Sequence, residues 1–555
     1  MKLLKNINNV IVLFAVLVTT SACNDYIEED IYSDITSENF IDQDNADQLV
    51  VGVYTSMRTV YRDYTFKFDG TDIFANKGDL SSLSATNDYF NLTSSAGQSV
   101  WANNYGVIGK ANFVINRYEN QIQWSDTNLE AKAYGIAQAK GLRALAYFNL
   151  VQQYGGVVLE VEEAQSIRTD YVRSSEQETY NLIISDLEAA IPSLEEAPET
   201  GRFSKRAAQH VLADVYLTRA YTSFGESTDF ATAAALAEEA INGYDIRSQS
   251  FAELFAYDNQ VNDEVLFAMQ WGTSGFTADK DNNKHSLFMN QVSNYPGVNR
   301  ATTPYGFSDF SMMPTPFYYS LFAANDSRDD VTFHRAILAD ADDELKDASG
   351  NLLDNIVAGD TVVYYPKVAL DAAELVAHLD RHWVYQPDEY LFGRPDAIAG
   401  VNYLYTLNAE LTNFPIFKKF DDEDFNETRL GARDTYVFRV AETHLIAAEA
   451  YLGAGNSSQA LFHINRVRER ATGVANEYTS ITIDDILDER ALELAGEDNR
   501  WAVLKRTGKL EERITQYNPQ VIDHGAFDAS THLLRPIPAS ELQLSPETMT
   551  QNPGY

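Results

Sequence analysis

Two histidines, His378 and His382, stand four residues apart. On a helix that spacing turns both rings to one face, but a zinc centre takes three or four ligands. Leu379-Asp380-Arg381 lies between them, so there is no HExxH signature, and a surface or structural role is expected. The acidic runs Asp340–Glu344 and Asp421–Asp424 resemble calcium ligand sets only superficially. An EF-hand loop needs Gly at its sixth position, and neither run has it there. They read as solvated loops, and no metal is assigned. Neither a GxSxG elbow nor a Walker loop is present. With 81 Asp and Glu residues, two acids near each other in sequence carry no weight as a glycosidase pair. No catalytic residue and no cofactor are expected.

The loop aromatics are more informative, because no helical or strand period explains them. Tyr89 lies between Asn87-Asp88 and Asn91. Tyr295, Tyr305 and Phe307 lie among Pro and Gly, and Trp383, Tyr385, Tyr390 and Phe392 fall within ten residues. An aromatic ring offers an apolar face and, in Tyr and Trp, a polar tip. Such rings can stack on the C–H face of a sugar while neighbouring Asn, Asp and Arg side chains bond its hydroxyls. Asn87, Tyr89, Tyr295, Tyr305, Phe307, Trp383, Tyr385 and Tyr390 are therefore the candidate glycan-binding residues. The alternative is that they form satellite cores beneath long loops. Trp101 differs: with Tyr105, Ile108, Asn112 and Ile115 it repeats at gaps of 4, 3, 4 and 3, a helix seam that belongs in a core.

These residues sit in a chain of 555 residues with 42 Lys and Arg, hence a net charge of 42 − 81 = −39. Phosphate-backbone binding depends on Lys and Arg neutralising phosphates, so nucleic acid is excluded as a partner. Apolar residues at 45% and charged residues at 22% describe a folded globular chain. The single cysteine forbids an intrachain disulfide. It is Cys23, which follows Lys2, Lys5, an apolar run from Val10 to Val18, and Thr19-Thr20-Ser21-Ala22. A basic start, a short apolar run and small residues make a secretory signal peptide over residues 1–22. A small-small-Cys ending resembles a bacterial lipoprotein box, which implies lipidation of Cys23. Several acyl chains would hold even an acidic domain on a bilayer. Asn24 to Asp30 reads as an acidic tether over residues 23–40, and resembles the surface-export signals of Bacteroidetes lipoproteins.

The elements that must position the loops are helical. Periodicity dominates about 43–245 and 434–510, and the intervening 250–430 is rich in Gly, Pro, Asn and aromatics. Ala448, Tyr451, Ala460, Ile464 and Val467 follow the internal spacing of a tetratricopeptide pair. Ala213 and Tyr216 with Ala233, Ala237 and Ala240 suggest a second pair. Ala144 and Tyr147 with Tyr180, Ile184 and Leu187 suggest a third, and Val51 and Tyr54 with Ala111, Ile115 and Tyr118 a fourth. Ser174-Ser175-Glu176-Gln177 carries a capping-box pattern. Gly453 and Gly455 suit one helix end, and Pro192 another. Glu264–Trp271 and Thr361–Tyr365 are strand candidates. The expected fold is mainly α: a tetratricopeptide-like helical-pair superhelix with a loop-rich, irregular insertion carrying a few short strands, all within one domain over 41–555.

The C-terminal half carries a family resemblance. Phe438-Arg439-Val440-Ala441-Glu442-Thr443-His444-Leu445 through Ala450 is similar to the hallmark helix of the SusD/RagB family. Ile464–Ala471, Asp488–Ala495, Arg500-Trp501, Leu504-Lys505-Arg506, Arg535-Pro536-Ile537-Pro538 and the Gln551–Tyr555 terminus follow at the family's places. Gly141–Phe148, Tyr154-Gly155-Gly156 and Lys205–Leu217 resemble its N-terminal hallmarks. Val158, Gly496, Asp498 and Val503 depart from the family pattern at scaffold positions. The resemblance implies a cell-surface glycan-binding lipoprotein of the Bacteroidetes outer membrane, not an enzyme. It would capture oligosaccharides for a SusC-type TonB-dependent transporter. A surface glycoside hydrolase and a non-binding structural subunit of the importer are the alternatives.

Overall fold

The computed structural model describes residues 42–62, 65–76, 85–166, 168–197, 200–272, 281–290, 292, 295–299, 312–346, 349–390, 414–425 and 430–555. The leader, the tether with Cys23, and Tyr305, Phe307 and Phe392 lie outside these residues. Among the described residues no helix is long and apolar enough to cross a membrane.

Helix α1 is Asp47–Arg62, followed by strand β1, Phe74–Asn76. Then come α2 (Gln98–Asn120), α3 (Leu129–Tyr154), α4 (Glu176–Ala190), α5 (Lys205–Ala220) and α6 (Asp229–Ile241). The insertion supplies β2 (Val265–Met269), β3 (Met312–Pro314), β4 (Ala336–Leu338), β5 (Asp343–Lys346), β6 (Leu352–Ile356), β7 (Thr361–Tyr364), α7 (Ala372–Leu379) and β8 (Trp383–Val384). After it come β9 (Thr435–Arg439), α8 (Val440–Gly453), α9 (Ser457–Thr472), α10 (Ile483–Leu494), α11 (Arg500–Arg506) and α12 (Leu510–Tyr517).

Helices α1 to α6 stack in sequence, each on the next, and α6 packs directly on α8, which packs on α9. The stack thus runs unbroken past roughly two hundred residues of insertion. Small side chains allow this contact: Ala213, Ala233, Ala234, Ala237, Ala447 and Ala450 are fully or almost fully buried together, which lets helix axes approach closely. All four predicted pairs are present. In α1, however, Val50, Val53, Met57 and Val60 form the buried seam, and Val51 is 39% exposed. One residue is about 100° of helical rotation, so the predicted register was off by one position. Residues 435–439 are also a strand rather than the start of a helix, pairing antiparallel with β2, and further helices continue to Leu544.

Local chemistry explains the ends. Ser175 caps α4 and exchanges bonds with Glu178 in a capping box, and Pro192 lies in the 3-10 turn that follows. Gly455 takes φ 77° just past α8. The Gly155-Gly156 pair has a firm steric basis. Gly155 has φ 71° and ψ −136°, a conformation nearly confined to glycine. A Cβ on Gly156 would lie 2.1 Å from the Ser174 carbonyl oxygen and 2.9 Å from the Ser175 carbonyl carbon. Gly156→Ala is therefore expected to destabilise the fold by about 1–3 kcal/mol through overpacking, read as a lower urea midpoint with unchanged slope.

Several ionic clusters are buried inside the fold, and two of them join distant segments. Arg439, almost fully buried, donates to Glu264 (2.8 Å), Glu493 (3.1 Å) and Glu497 (2.6 and 2.9 Å). Arg470 bonds Glu264 and Glu493. Arg328 bonds Asp326, Glu489 and Glu493, and Lys419 bonds Glu497 at 2.5 Å. The second cluster centres on Asp72, which accepts from Arg500 (2.6 and 2.9 Å) and Arg513 (2.7 Å). Most charged residues of the C-terminal hallmark segments thus face one another in the interior.

Candidate functional site

The insertion is built on a three-stranded sheet of order β4-β7-β8, flanked by the β5–β6 hairpin. Two open pockets of about 400 Å³ each lie against it, within the usual size of ligand sites. One is lined by Tyr295 to Asn299 and by Asp340 to Asp343. The other is lined by residues 354–356 and 360–362 with Asp380, Arg381 and His382. The first is walled by a tight crossing at Gly297, where a Cβ would approach Ala339, the Ala341 carbonyl and Ile356 to 3.0–3.1 Å.

The acidic run is organised by backbone amides. Asp340 accepts from Asn299 N–H at 3.0 and 3.2 Å, Asp343 from Gly297 at 2.9 Å, and Asp342 from Ala358 at 2.9 Å. The Glu344 and Gly297 amides hold the Asp343 carboxyl below its ordinary range. These bonds fix the loop and point carboxylate acceptors along the first pocket. In the second pocket Arg381 supplies donors, and burial, with His378 and Arg381 nearby, pushes His382 down to about 4. His378 and His382 bond each other through Nδ1 and Nε2 at 2.9 Å, and His378 stacks on Tyr364. Among the described residues no group of three His, Cys, Asp or Glu side chains is placed to hold a metal. Asp421 and Asp422 are committed to His334 and to the Arg433 backbone.

The structure brings four predicted aromatics together but turns them inward. The Tyr295 and Tyr385 hydroxyls bond each other at 2.7 Å, and Trp383 meets Tyr295 edge-on at 5.0 Å. Tyr390 donates to the Pro366 carbonyl at 2.7 Å. Trp383, Tyr385 and Tyr390 are 7%, 1% and 1% exposed, so they form a rigid wall behind the pockets; Tyr295 alone of the four lines one. Burial is affordable because each tyrosine hydroxyl finds an internal partner. Asn87 and Tyr89 lie apart from these four, with the C-terminal helices. Asn87 donates to Gln520 at 2.6 Å. Tyr89 donates to the Gly70 carbonyl at 2.7 Å and accepts from Trp501 at 3.1 Å, and burial pushes its hydroxyl up to about 12. Arg381, Asn299, Asp354, Asn355 and Asp360 were missed by sequence reading. Asp354 and Asn355 lie in β6 and the others in turns or loops, and polar side chains in such places are too ordinary to single them out.

A helical superhelix thus bears an irregular insertion with open, acceptor-rich pockets. The chain belongs to the SusD family: the family model so described matches residues 263–555. A second model, described as starch-binding associating with outer membrane, matches residues 25–217. A SusD-like protein of Bacteroides ovatus is 29% identical over 413 residues, 72% of this chain and 64% of that protein, so the match spans under two thirds of that relative. A SusD-like protein of Formosa agariphila is 23% identical over 581 residues, covering 99% of both chains. Among solved structures, a laminarin binding SusD-like protein superposes with a TM-score of 0.65 at 24% identity, covering 92% of this chain and 99% of that one.

Proposed function

We propose that this protein captures oligosaccharides at the outer surface of the cell and passes them to a SusC-type TonB-dependent transporter. A lipid on Cys23 would hold it to the outer membrane, and it would perform no bond chemistry. Membership of the SusD family over most of the chain carries this reading. The solved relative that binds laminarin and the family description of outer-membrane association support it. The pockets agree in chemistry. A carboxylate accepts several hydrogen bonds and donates none, so Asp-lined pockets suit the hydroxyls of a neutral glycan. The net charge of −39 weighs against a polyanion. Weak binding suffices if the site is tethered beside its importer, because tethering raises effective concentration.

Affinity gel electrophoresis of the purified protein against a polysaccharide panel, with reducing-sugar release followed alongside, tests the reading. Retardation by a glycan without release is expected. Arg381→Ala and Asn299→Ala should each weaken it about tenfold, the worth of a hydrogen bond or two. Sugar release would overturn the binding role in favour of a hydrolase. Co-purification of a TonB-dependent transporter with the membrane-anchored chain tests the partnership.

A further inference from the structure

A smaller pocket, about 170 Å³, lies on the helical body where α4, α5 and α11 meet. Its walls are Tyr180, Tyr221 and Leu533, and its polar groups are Glu176, Thr222 and Lys505. Lys505 donates to the Gln152 carbonyl at 2.8 Å, which uses one of its three protons. Arg506, beside it, is fully engaged by Glu449 and Asp214. Glu176 and Lys505 share the pocket without closing into an ion pair. Each responds to the other: burial lowers Lys505 to about 8 against the pull of Glu176, and burial raises Glu176 against Lys505. Tyr221 is 38% exposed at the mouth, with its ring braced edge-on by Phe230 at 5.3 Å.

We propose that this pocket is a second saccharide site, taking one neutral sugar ring between Glu176 and Lys505. A ring hydroxyl donates to the Glu176 carboxylate, a neighbouring oxygen accepts from the Lys505 ammonium, and a C–H face lies on Tyr221. The volume is below that of ordinary ligand clefts, so it admits a single ring and not a chain. An anion is disfavoured, because Glu449 and Asp214 offset Arg506 and Glu176 offsets Lys505. The inference rests on the glycan-capture reading and adds a second contact on a different face.

Ligand-observed NMR of the intact protein with glucose, galactose, mannose and xylose, each at millimolar concentration, tests it. At least one sugar should show saturation transfer. Lys505→Met and Glu176→Gln should weaken that contact about ten- to a hundredfold. Thr222→Trp, which plugs the mouth and leaves the internal bonds of Lys505 in place, should abolish it; this variant decides the matter if Lys505→Met folds poorly. Transfer that survives Thr222→Trp and Glu176→Gln would overturn the site. Binding of glycine in place of every sugar would overturn the polyol assignment in favour of a zwitterion. Polysaccharide retardation without any monosaccharide contact would overturn this site alone. Loss of both in the unaltered protein would also overturn the capture reading.

Discussion

Arg439→Met is expected to cost about 3–5 kcal/mol, the usual penalty for removing one partner from a buried ionic cluster. Glu264, Glu493 and Glu497 would lose donors that the interior cannot replace with water. For a protein whose net stability is of order 5–15 kcal/mol, that is a large share of the whole. The check is a fall in the guanidinium midpoint of the purified variant, with circular dichroism for residual helix. The cluster also fixes the acid response. Burial alone would raise Glu493 and Glu497, but Arg470, Arg439 and Arg328 outweigh it at Glu493, and Arg439 with Lys419 at Glu497, holding both at about 2. Their ordinary value is 4.5. A depressed folded value means that stabilisation is complete above about 4.5 and drains away as pH falls towards 2. Arg439→Met should therefore unfold at a higher pH than the unaltered protein on acid titration.

Asp72→Ala is the second large loss, again about 3–5 kcal/mol. Asp72 lies in the loop before β1, and its partners Arg500 and Arg513 stand 428 and 441 residues further on. Burial opposes its charge, and the two arginines overcome that and keep the carboxyl ionised. Without it Arg500 would keep only the Leu487 carbonyl, beside Arg513, which would still hold Asp484 and Asp488. Thermal unfolding should show one cooperative transition moved to lower temperature. A variant as stable as the unaltered protein would mean that water replaces the carboxylate there.

Much of the helical body was legible because its constraints are local and periodic. Ala448, Ala460, Ile464 and Val467 repeat at helical spacing, and all are fully buried. The shifted register of α1 shows where this stops: Val50 and Val51 are both apolar, and only packing on α2 decides which one faces inward. The site was harder to read. Tyr89 looked like a ligand platform because it stands among asparagines in a loop, yet Trp501, more than four hundred residues away, closes over it. Tyr295, Tyr385 and Tyr390 lie outside helices and strands as read, whereas Trp383 belongs to the short strand β8. Whether such a cluster faces solvent depends on hydroxyl partners such as Pro366, which sequence spacing does not encode. The hallmark charges carried the opposite signal. Arg439, Arg468 and Glu493 look like surface chemistry on a list of residues, and they are the interior.

The position of Asp72 also has a kinetic meaning. The loop before β1 leaves the ribosome early, but its carboxylate has no cationic partner until Arg500 and Arg513 have followed. Strand β1 likewise waits for β3, since Phe74 pairs with Pro314. Contacts of such sequence separation are slow to form, and chains of this length fold through populated intermediates. The nascent helical pairs can assemble as they emerge, while the centre of the molecule stays open until the last tenth of the chain is made. Truncations within that tenth should accordingly leave helix-rich, aggregation-prone species rather than a smaller folded protein.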